Sequence, residues 1–289
     1  MRRAGRFAPS PTGPLHLGSL YVALASFLDA RSRNHDWLVR MDDLDEPRTD
    51  PQAESSILRT LESHGLRWDR SVQRQSARLG AYGSALAELR AGGRLFYCTC
   101  SRQDLRRAPV YPGTCRNRTA PVANAAIRVR VDDAAPRFAD LLRGEQVTPL
   151  RLTIGDFIVR RRDGIVAYQL AAALDDSEPE IATVVRGRDL LDNTPRQLHL
   201  MTLLERPHPR YAHLSLIVDR TGQKLSKQAG ARPVDFSTPL DNIRICLGFL
   251  GMNDPPDTDL EGLLKWAVAR WNLARIPRED QVAGSNFPI

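Results

Sequence analysis

Along the N-terminal part of the chain, short apolar runs alternate with segments in which apolar residues recur at helical spacing. The Pro-Ser-Pro-Thr-Gly stretch of residues 9–13 must end any strand that precedes it. Ser19 is predicted to cap the helix that follows. The apolar face of that helix consists of Leu20, Leu24, Phe27 and Leu28. A second strand is predicted over residues 37–41, and helices over 51–64 and 76–91. This rhythm is typical of a parallel α/β sheet.

The helical rhythm breaks at Gly92-Gly93. A cysteine-rich stretch follows, and residues 127–131 then alternate between apolar side chains and arginine, as a strand with one buried face does. Residues 160–166 predict a hairpin that turns at Asp163-Gly164. We interpret residues 94–180 as an insertion into the sheet domain.

The sheet pattern resumes after this insertion. Residues 181–186 and 214–218 predict two more strands. Between them, Thr194-Pro195-Arg196-Gln197 has the pattern of a capping box with proline at the first helical position. Residues 237–275 predict amphipathic helices. The expected domains are two halves of a sheet core at 1–93 and 181–232, the insertion at 94–180, and a helical region at 233–289.

Composition narrows the class of protein. A hydrophobic content of 42% over 289 residues is ordinary for a globular protein, and no apolar run is long enough to span a membrane. The N-terminus lacks the apolar core of a signal peptide, so we expect a cytoplasmic protein. The net charge of +7 is compatible with a polyanionic partner such as nucleic acid, although many basic proteins have none.

The first candidate for chemistry is His16-Leu17-Gly18, at the end of the Pro- and Gly-rich stretch. Glycine lets the backbone approach a ligand closely, and the N-terminus of the following helix offers free N–H groups to a phosphate. His16, beside that terminus, could donate a hydrogen bond to a phosphoryl oxygen as charge develops. Taken alone, such a tripeptide is more often a plain turn with a surface histidine.

The second candidate is Lys224-Leu225-Ser226-Lys227, which follows a predicted turn at residues 219–222. Two lysines with a serine between them can bind a polyphosphate through charge and hydrogen bonds. On its own, this tetrapeptide is an ordinary solvated basic loop. Its significance comes from its position after the first motif.

Together the two motifs resemble the signature motifs of class I aminoacyl-tRNA synthetases, in the form of the glutamyl and glutaminyl branch. The resemblance covers residues 5 to about 230 and is carried by residues 6–18, Asp156-Phe157, Tyr168, residues 185–190 and Lys224 to Lys227. It implies a Rossmann-type parallel-sheet core that binds ATP with Mg²⁺. The residues it places around ATP and the reacting phosphates are His16, Gly18, Ser19, Lys224 and Lys227.

The end of the chain refines the resemblance. Only residues 228–289 follow the second motif, whereas full-length glutamyl-tRNA synthetases continue into an anticodon-binding domain, which we therefore do not expect here. The shortened form with a cysteine-rich insertion resembles the glutamyl-queuosine tRNA(Asp) synthetases. That family attaches glutamate to the queuosine base in the anticodon loop of tRNA(Asp), and the resemblance implies that activation proceeds without tRNA. We expect a monomer, since no apolar helix is left over for a partner.

Three of the four cysteines, Cys98, Cys100 and Cys115, are close in sequence, and Cys246 lies in an apolar stretch and is expected in the core. In a cytosolic chain such a cluster indicates a metal site before disulfides. Tetrahedral zinc needs four ligands, and no histidine lies between these cysteines, so the residues alone leave the fourth ligand open to water or a distant side chain. The family pattern implies a structural zinc ion with Tyr111 as that ligand.

The resemblance also implies a glutamate pocket. Its residues are Arg6, Phe7, Ala8, Pro9, Ser10, Asp42, Tyr168 and Arg186. Glutamate carries two carboxylates and one ammonium, so a site needs cationic groups, an anion and neutral hydroxyls. Arg6 and Arg186 suit the two carboxylates, but the sequence does not say which arginine binds which carboxylate. Asp42 stands where relatives have glutamate, and its shorter side chain leaves open a contact through water.

The implied reaction has two steps. A glutamate carboxylate attacks the α-phosphorus of ATP, and a hydroxyl of the queuosine cyclopentenediol then attacks the adenylate; catalysis is mostly positioning and charge stabilisation. Three alternatives stay open. They are a minimal synthetase that charges a tRNA 3′ end, a ligase that joins an activated amino acid to a small molecule, and a non-catalytic RNA-binding paralogue.

Overall fold

The computed structural model of the chain describes residues 2–106, 108–224 and 232–283. Its strands are β1 (Ala4–Phe7), β2 (Asp36–Met41), β3 (Gln73–Arg74), β4 (Leu95–Cys98), β5 (Ala126–Val129), β6 (Arg137–Asp140), β7 (Gly144–Val147), β8 (Phe157–Arg160), β9 (Ile181–Gly187), β10 (Arg210–Leu214), β11 (Ile217–Val218) and β12 (Gln281–Val282). Its helices are α1 (Leu17–Ser32), α2 (Ala53–Ser63), α3 (Leu79–Ala91), α4 (Arg102–Leu105), α5 (Leu150–Thr153), α6 (Tyr168–Asp176), α7 (Thr194–Leu203), α8 (Pro239–Phe249) and α9 (Leu260–Arg270).

A mainly parallel sheet forms the centre of the fold. Its strand order is β3-β2-β1-β9-β10-β6-β7, and the neighbours are parallel except for the β6–β7 pair. The order reverses between β1 and β9, since β2 lies on one side of β1 and β10 lies on the far side of β9. Open α/β sheets bind ligands at the carboxyl ends of their strands at such a reversal. The predicted parallel α/β sheet is thus confirmed.

Helix α1 begins three residues earlier than the sequence indicated. Its N-cap is His16, whose Nδ1 accepts the backbone N–H of Ser19 at 3.3 Å, so the prediction of Ser19 as the cap is wrong. Leu15, just before this cap, is buried, and its carbonyl accepts the N–H of Val234. The predicted apolar face of the helix is confirmed as buried: Leu20, Leu24, Phe27 and Leu28.

Residues 94–180 contribute to two sheets. Strands β4, β5 and β8 form a separate antiparallel sheet, and an antiparallel bridge between Arg160 and Val166 matches the predicted hairpin. Strands β6 and β7 instead extend the main sheet, where Asp140 of β6 pairs with Tyr211 of β10. The segment is therefore joined to the edge of the main sheet, and the domain boundaries stay predictions.

Helix α7 begins without the capping box that the sequence predicted. Its N-cap is Asn193, which makes no side-chain capping bond, and Thr194 is already helical. The Thr194 hydroxyl instead accepts a hydrogen bond from Nη2 of Arg186 at 2.8 Å, because a buried guanidinium requires acceptors. The strand predicted over 214–218 is also divided, between the end of β10 and the short strand β11.

The C-terminal part of the described chain is helical and packs on the core. Helices α8 and α9 both contact α1, and Cys246 of α8 is completely buried, as predicted. Trp271 donates from Nε1 to Asp29 of α1 at 3.2 Å. No helix within the three described ranges is both long and apolar enough to cross a membrane.

Candidate active site

A pocket of about 250 Å³ lies at the carboxyl ends of β1, β2, β9 and β10. It is lined by all of the described residues that the sequence assigned to glutamate or ATP: Arg6, Phe7, Ala8, Pro9, Ser10, His16, Gly18, Ser19, Asp42, Tyr168, Arg186 and Lys224. Lys227 lies outside the described residues. The structure therefore brings side chains from distant parts of the chain to one cavity at the reversal of the sheet.

Arg6 on β1 is buried and already has a carboxylate partner. Its Nε and Nη2 donate to the two oxygens of Asp176 at 3.0 and 2.9 Å, and Arg40 donates to the same carboxylate at 2.7 Å. Burial alone would raise the pKa of Asp176, but the two guanidinium groups outweigh it and hold that pKa well below its usual range. Sequence reasoning missed Asp176. The available signal was Asp175-Asp176 at the end of an apolar helix, since buried acids need cationic partners.

Arg186 on β9 is also buried, but the side chains that accept its hydrogen bonds are neutral. Its Nε donates to Nε2 of His213 at 3.0 Å, and its Nη2 donates to Thr194 and Gln197, both at 2.8 Å. Its Nη1 has no hydrogen-bond partner among the residues that the structure describes. Arg186 thus lines the pocket with one buried donor, Nη1, that no described residue satisfies, and its charge is not paired directly to a described carboxylate.

Asp42 lies directly after β2 and supplies negative charge to the pocket. Its Oδ1 accepts from Nε of Arg40 at 2.7 Å, and its backbone N–H donates to the carbonyl of Pro9 at 2.9 Å. Burial raises the pKa of Asp42 to about 6, against the opposing effect of Arg40. The carboxylate is therefore mostly ionised at neutral pH, but it is close enough to its pKa to be protonated in mild acid.

His16 links the first motif to the N-terminus of α1. Because its Nδ1 accepts the Ser19 N–H, the proton of the neutral ring is on Nε2, which lies 3.0 Å from Oγ of Ser19. The imidazole therefore places an N–H donor, whose present partner is Oγ of Ser19, beside the positive end of the helix. Both features favour an anion such as a phosphate.

Lys224 connects the start of the second motif to the end of β9. Its Nζ lies 2.6 Å from Oδ2 of Asp189, and both side chains are partly exposed. Val218 and Lys224 form an antiparallel bridge, so the turn between them places the lysine over the pocket. This ion pair holds a cation at the pocket.

The three clustered cysteines form a second site outside the pocket lining. The sulfur atoms of Cys98, Cys100 and Cys115 lie within 4.8 Å of one another. Oη of Tyr111 lies 3.5 Å from Sγ of Cys98 and accepts the backbone N–H of Cys115 at 2.9 Å. Burial raises the pKa of Cys100 to about 11, whereas in Cys115 hydrogen bonds from the Thr99 backbone and Tyr111 outweigh burial and lower it to about 6. Three converging thiols suit a tetrahedral metal ion.

Comparison with known proteins identifies relatives of the chain. Residues 4–242 match the family described as tRNA synthetases class I (E and Q), catalytic domain. The chain is 50% identical over 281 residues to the glutamyl-Q tRNA(Asp) synthetase of Methylococcus capsulatus. The aligned region covers 94% of this chain and 92% of that protein. It is 47% identical to the protein of the same name from Ectopseudomonas mendocina, over 96% of each chain. The fold matches a glutamate tRNA ligase from Elizabethkingia meningosepticum with a TM-score of 0.81 at 24% identity, over 98% of this chain and 67% of that one.

Proposed function

The chain belongs to the glutamyl-Q tRNA(Asp) synthetase family of class I tRNA synthetases, and from this premise we propose that it activates glutamate with ATP and transfers it to the queuosine base of tRNA(Asp). It is therefore an enzyme, a ligase. The observation that carries the proposal is one pocket at the sheet reversal, which combines two arginines, an aspartate, His16 and Gly18 of the first motif and Lys224 of the second. This set of charges complements one glutamate and one nucleotide.

In the first step, an oxygen of the glutamate α-carboxylate attacks the α-phosphorus of ATP. A P–O bond forms, the bond to the β-phosphate oxygen breaks, and pyrophosphate leaves with the electron pair. The Nε2–H of His16 and the N-terminus of α1 stabilise the negative charge on the phosphates. Lys224 adds a cation, and Lys227, which lies outside the described residues, is proposed from its motif to do the same. Mg²⁺ enters as the counter-ion of ATP.

Glutamate is held by groups of opposite charge in the same cavity. We assign one substrate carboxylate to Arg186, whose Nη1 has no partner among the described residues, and the substrate ammonium to Asp42, directly or through one water molecule. Arg6 adds positive potential, although Asp176 shares its charge. The hydroxyl of Tyr168, at the start of α6, completes the polar wall.

In the second step, a hydroxyl of the queuosine cyclopentenediol attacks the carbonyl carbon of the mixed anhydride. An ester bond forms, AMP leaves, and the hydroxyl proton passes to the leaving phosphate or to solvent. The adenylate is already a strong acylating agent, so positioning of the base is the main contribution of the protein.

We further propose that Cys98, Cys100 and Cys115 hold one structural zinc ion with Tyr111 as the fourth ligand. The spacing of the three sulfur atoms and the proximity of the Tyr111 hydroxyl to Cys98 support a tetrahedral set. Because this cluster is outside the pocket lining, its expected contribution is to the stability of the β4–β5–β8 sheet.

The decisive experiment supplies purified protein with ATP, labelled glutamate and matched tRNAs. We expect ATP–pyrophosphate exchange that depends on glutamate without tRNA, and label on queuosine-containing tRNA(Asp) that lacks its 3′-terminal adenosine. Queuosine-free tRNA(Asp) is the control and should stay unlabelled. Label that requires an intact 3′ end, or that appears on tRNA(Glu), would identify a minimal charging enzyme instead. Absence of exchange would refute activation itself.

A further inference from the structure

Asp140, His213 and Arg186 form a buried chain of hydrogen bonds behind the pocket. Nδ1 of His213 donates to Oδ2 of Asp140 at 2.6 Å, and Nε of Arg186 donates to Nε2 of His213 at 3.0 Å. The side chains of Asp140 and His213 are completely inaccessible to solvent. Only Arg186 lines the cavity, so the other two residues can affect a substrate only through it.

The backbone around Asp140 fixes the proton on His213. Oδ1 of Asp140 accepts the N–H groups of Leu142 and Arg143 at 3.0 and 2.9 Å, which leaves Oδ2 for the imidazole. His213 must therefore carry its proton on Nδ1 and present the Nε2 lone pair to Arg186. Burial lowers the pKa of His213, so the ring is neutral at pH 7.

The plane of the imidazole is fixed as well. The ring of Tyr211 is stacked on His213 with an interplanar angle of 12° and a centroid distance of 5.9 Å. The guanidinium carbon of Arg186 lies 5.2 Å from the centroid of the same Tyr211 ring. With Thr194 and Gln197 on its Nη2, Arg186 is held at Nε and Nη2, and its buried Nη1 has no partner among the described residues.

The comparison with Arg6 shows why a neutral intermediary matters. Asp176 binds Arg6 directly and offsets its charge. Asp140 is separated from Arg186 by the imidazole, so it orients the guanidinium without forming an ion pair with it. The charge of Arg186 then stays available for a ligand, and a carboxylate is favoured over an uncharged amide.

We propose that Asp140 and His213 are positioning residues that aim Arg186 at a substrate carboxylate and thereby set the preference for glutamate over glutamine. This inference rests on the proposed function and adds to it the two residues that orient its key cation. Asp140 lies on β6, so the segment 94–180 contributes to amino-acid selection through the edge of the main sheet.

The first test uses Asp140→Asn. The two backbone N–H donors keep the remaining oxygen of the amide in place, so its NH₂ faces His213 and forces the proton onto Nε2, against Nε–H of Arg186. An analogous change of tautomer is known to impair the serine protease triad. We expect KM for glutamate in ATP–pyrophosphate exchange to rise about 10- to 100-fold, KM for ATP to stay within about twofold, and selectivity against glutamine to fall.

A second variant, His213→Asn, distinguishes a role in orienting Arg186 from a role that only stabilises the contact between β6 and β10. Its amide can still donate to Asp140 but offers Arg186 no acceptor at the Nε2 position. The proposal predicts that KM for glutamate rises here too. Ile243→Val, in the buried core of α8, is the destabilised control and should change neither KM.

The outcomes are distinct. A glutamate KM that stays at the wild-type value in both variants overturns the proposal, and so does an equal rise in both KM values. Independently of any variant, nitrogen NMR of the His213 ring should show the Nδ1–H tautomer at pH 7, and the Nε2–H tautomer or a charged ring would overturn it. If the wild-type protein shows no glutamate-dependent exchange, it is the proposed function that fails.

Discussion

Replacement of Asp176 by asparagine tests how much of the fold depends on buried charge. Three charge-assisted hydrogen bonds end on this carboxylate, two from Arg6 and one from Arg40, and all three side chains are at most 6% exposed. Asparagine keeps one acceptor oxygen and removes the charge. Loss of one partner from a buried ion pair costs about 3–5 kcal/mol, a large share of a total stability of about 5–15 kcal/mol. At about 2–4 °C per kcal/mol, Tm should fall by about 6–20 °C.

The assay is urea and thermal unfolding followed by circular dichroism, with Glu261→Gln as the matched control. Glu261 pairs with Lys265 on α9, but both side chains are about three quarters exposed, so the loss of this pair should leave Tm and the urea midpoint nearly unchanged. Because the folded-state pKa of Asp176 lies well below its unfolded-state value, its contribution to stability is fully present above the unfolded pKa and is lost progressively as the pH falls towards the folded pKa. If Asp176→Asn proves as mild as the control, the reasoning that the network of buried charges stabilises the sheet is refuted.

Three further predictions concern the pocket and the cysteine cluster. Because the pKa of Asp42 is about 6, KM for glutamate should rise as the pH falls from 7.5 to 5, while KM in Asp42→Asn should be high at every pH; a flat wild-type profile would contradict the assignment of the ammonium to Asp42. His16→Asn keeps a helix-capping side chain and should leave Tm nearly unchanged, yet lower the exchange rate about 100-fold, whereas His16→Ala should also lose about 1 kcal/mol of stability. Elemental analysis should find one zinc per chain, and Cys100→Ser should lower both zinc content and Tm with little effect on glutamate KM; a full zinc content in this variant would exclude Cys100 as a ligand.

The residues that line the pocket could be expected together from the sequence, because the resemblance groups them by the ligand that they bind. Residues such as Arg6, His16 and Arg186 were expected together from the resemblance, and the fold brings them to one cavity. Their supporting partners, Asp176 and His213, were not expected. Each lies in an apolar context on a helix or strand, and the contact with its arginine exists only after distant strands have paired.

The two wrong capping predictions have a common physical reason. Hydroxyl side chains are the usual helix caps, so Ser19 and Thr194 were natural choices. In the structure the ring of His16 accepts the Ser19 N–H, and the Thr194 hydroxyl is required by the buried Arg186. At both positions, hydrogen bonds made by pocket residues therefore outweigh the local preference of serine and threonine for the N-cap.

The position of β1 between β2 and β9 has a consequence for synthesis on the ribosome. Strand β2 ends at Met41, but β9 begins only at Ile181, about 140 residues later. At translation rates of about 5–20 residues per second, one edge of β1 stays unpaired for about 7–28 s until β9 has been synthesised. During that time the nascent chain exposes an unpaired strand edge, of the kind that invites aggregation. The pocket is completed only when β9 and β10 dock, so the ability to bind glutamate arises late in translation.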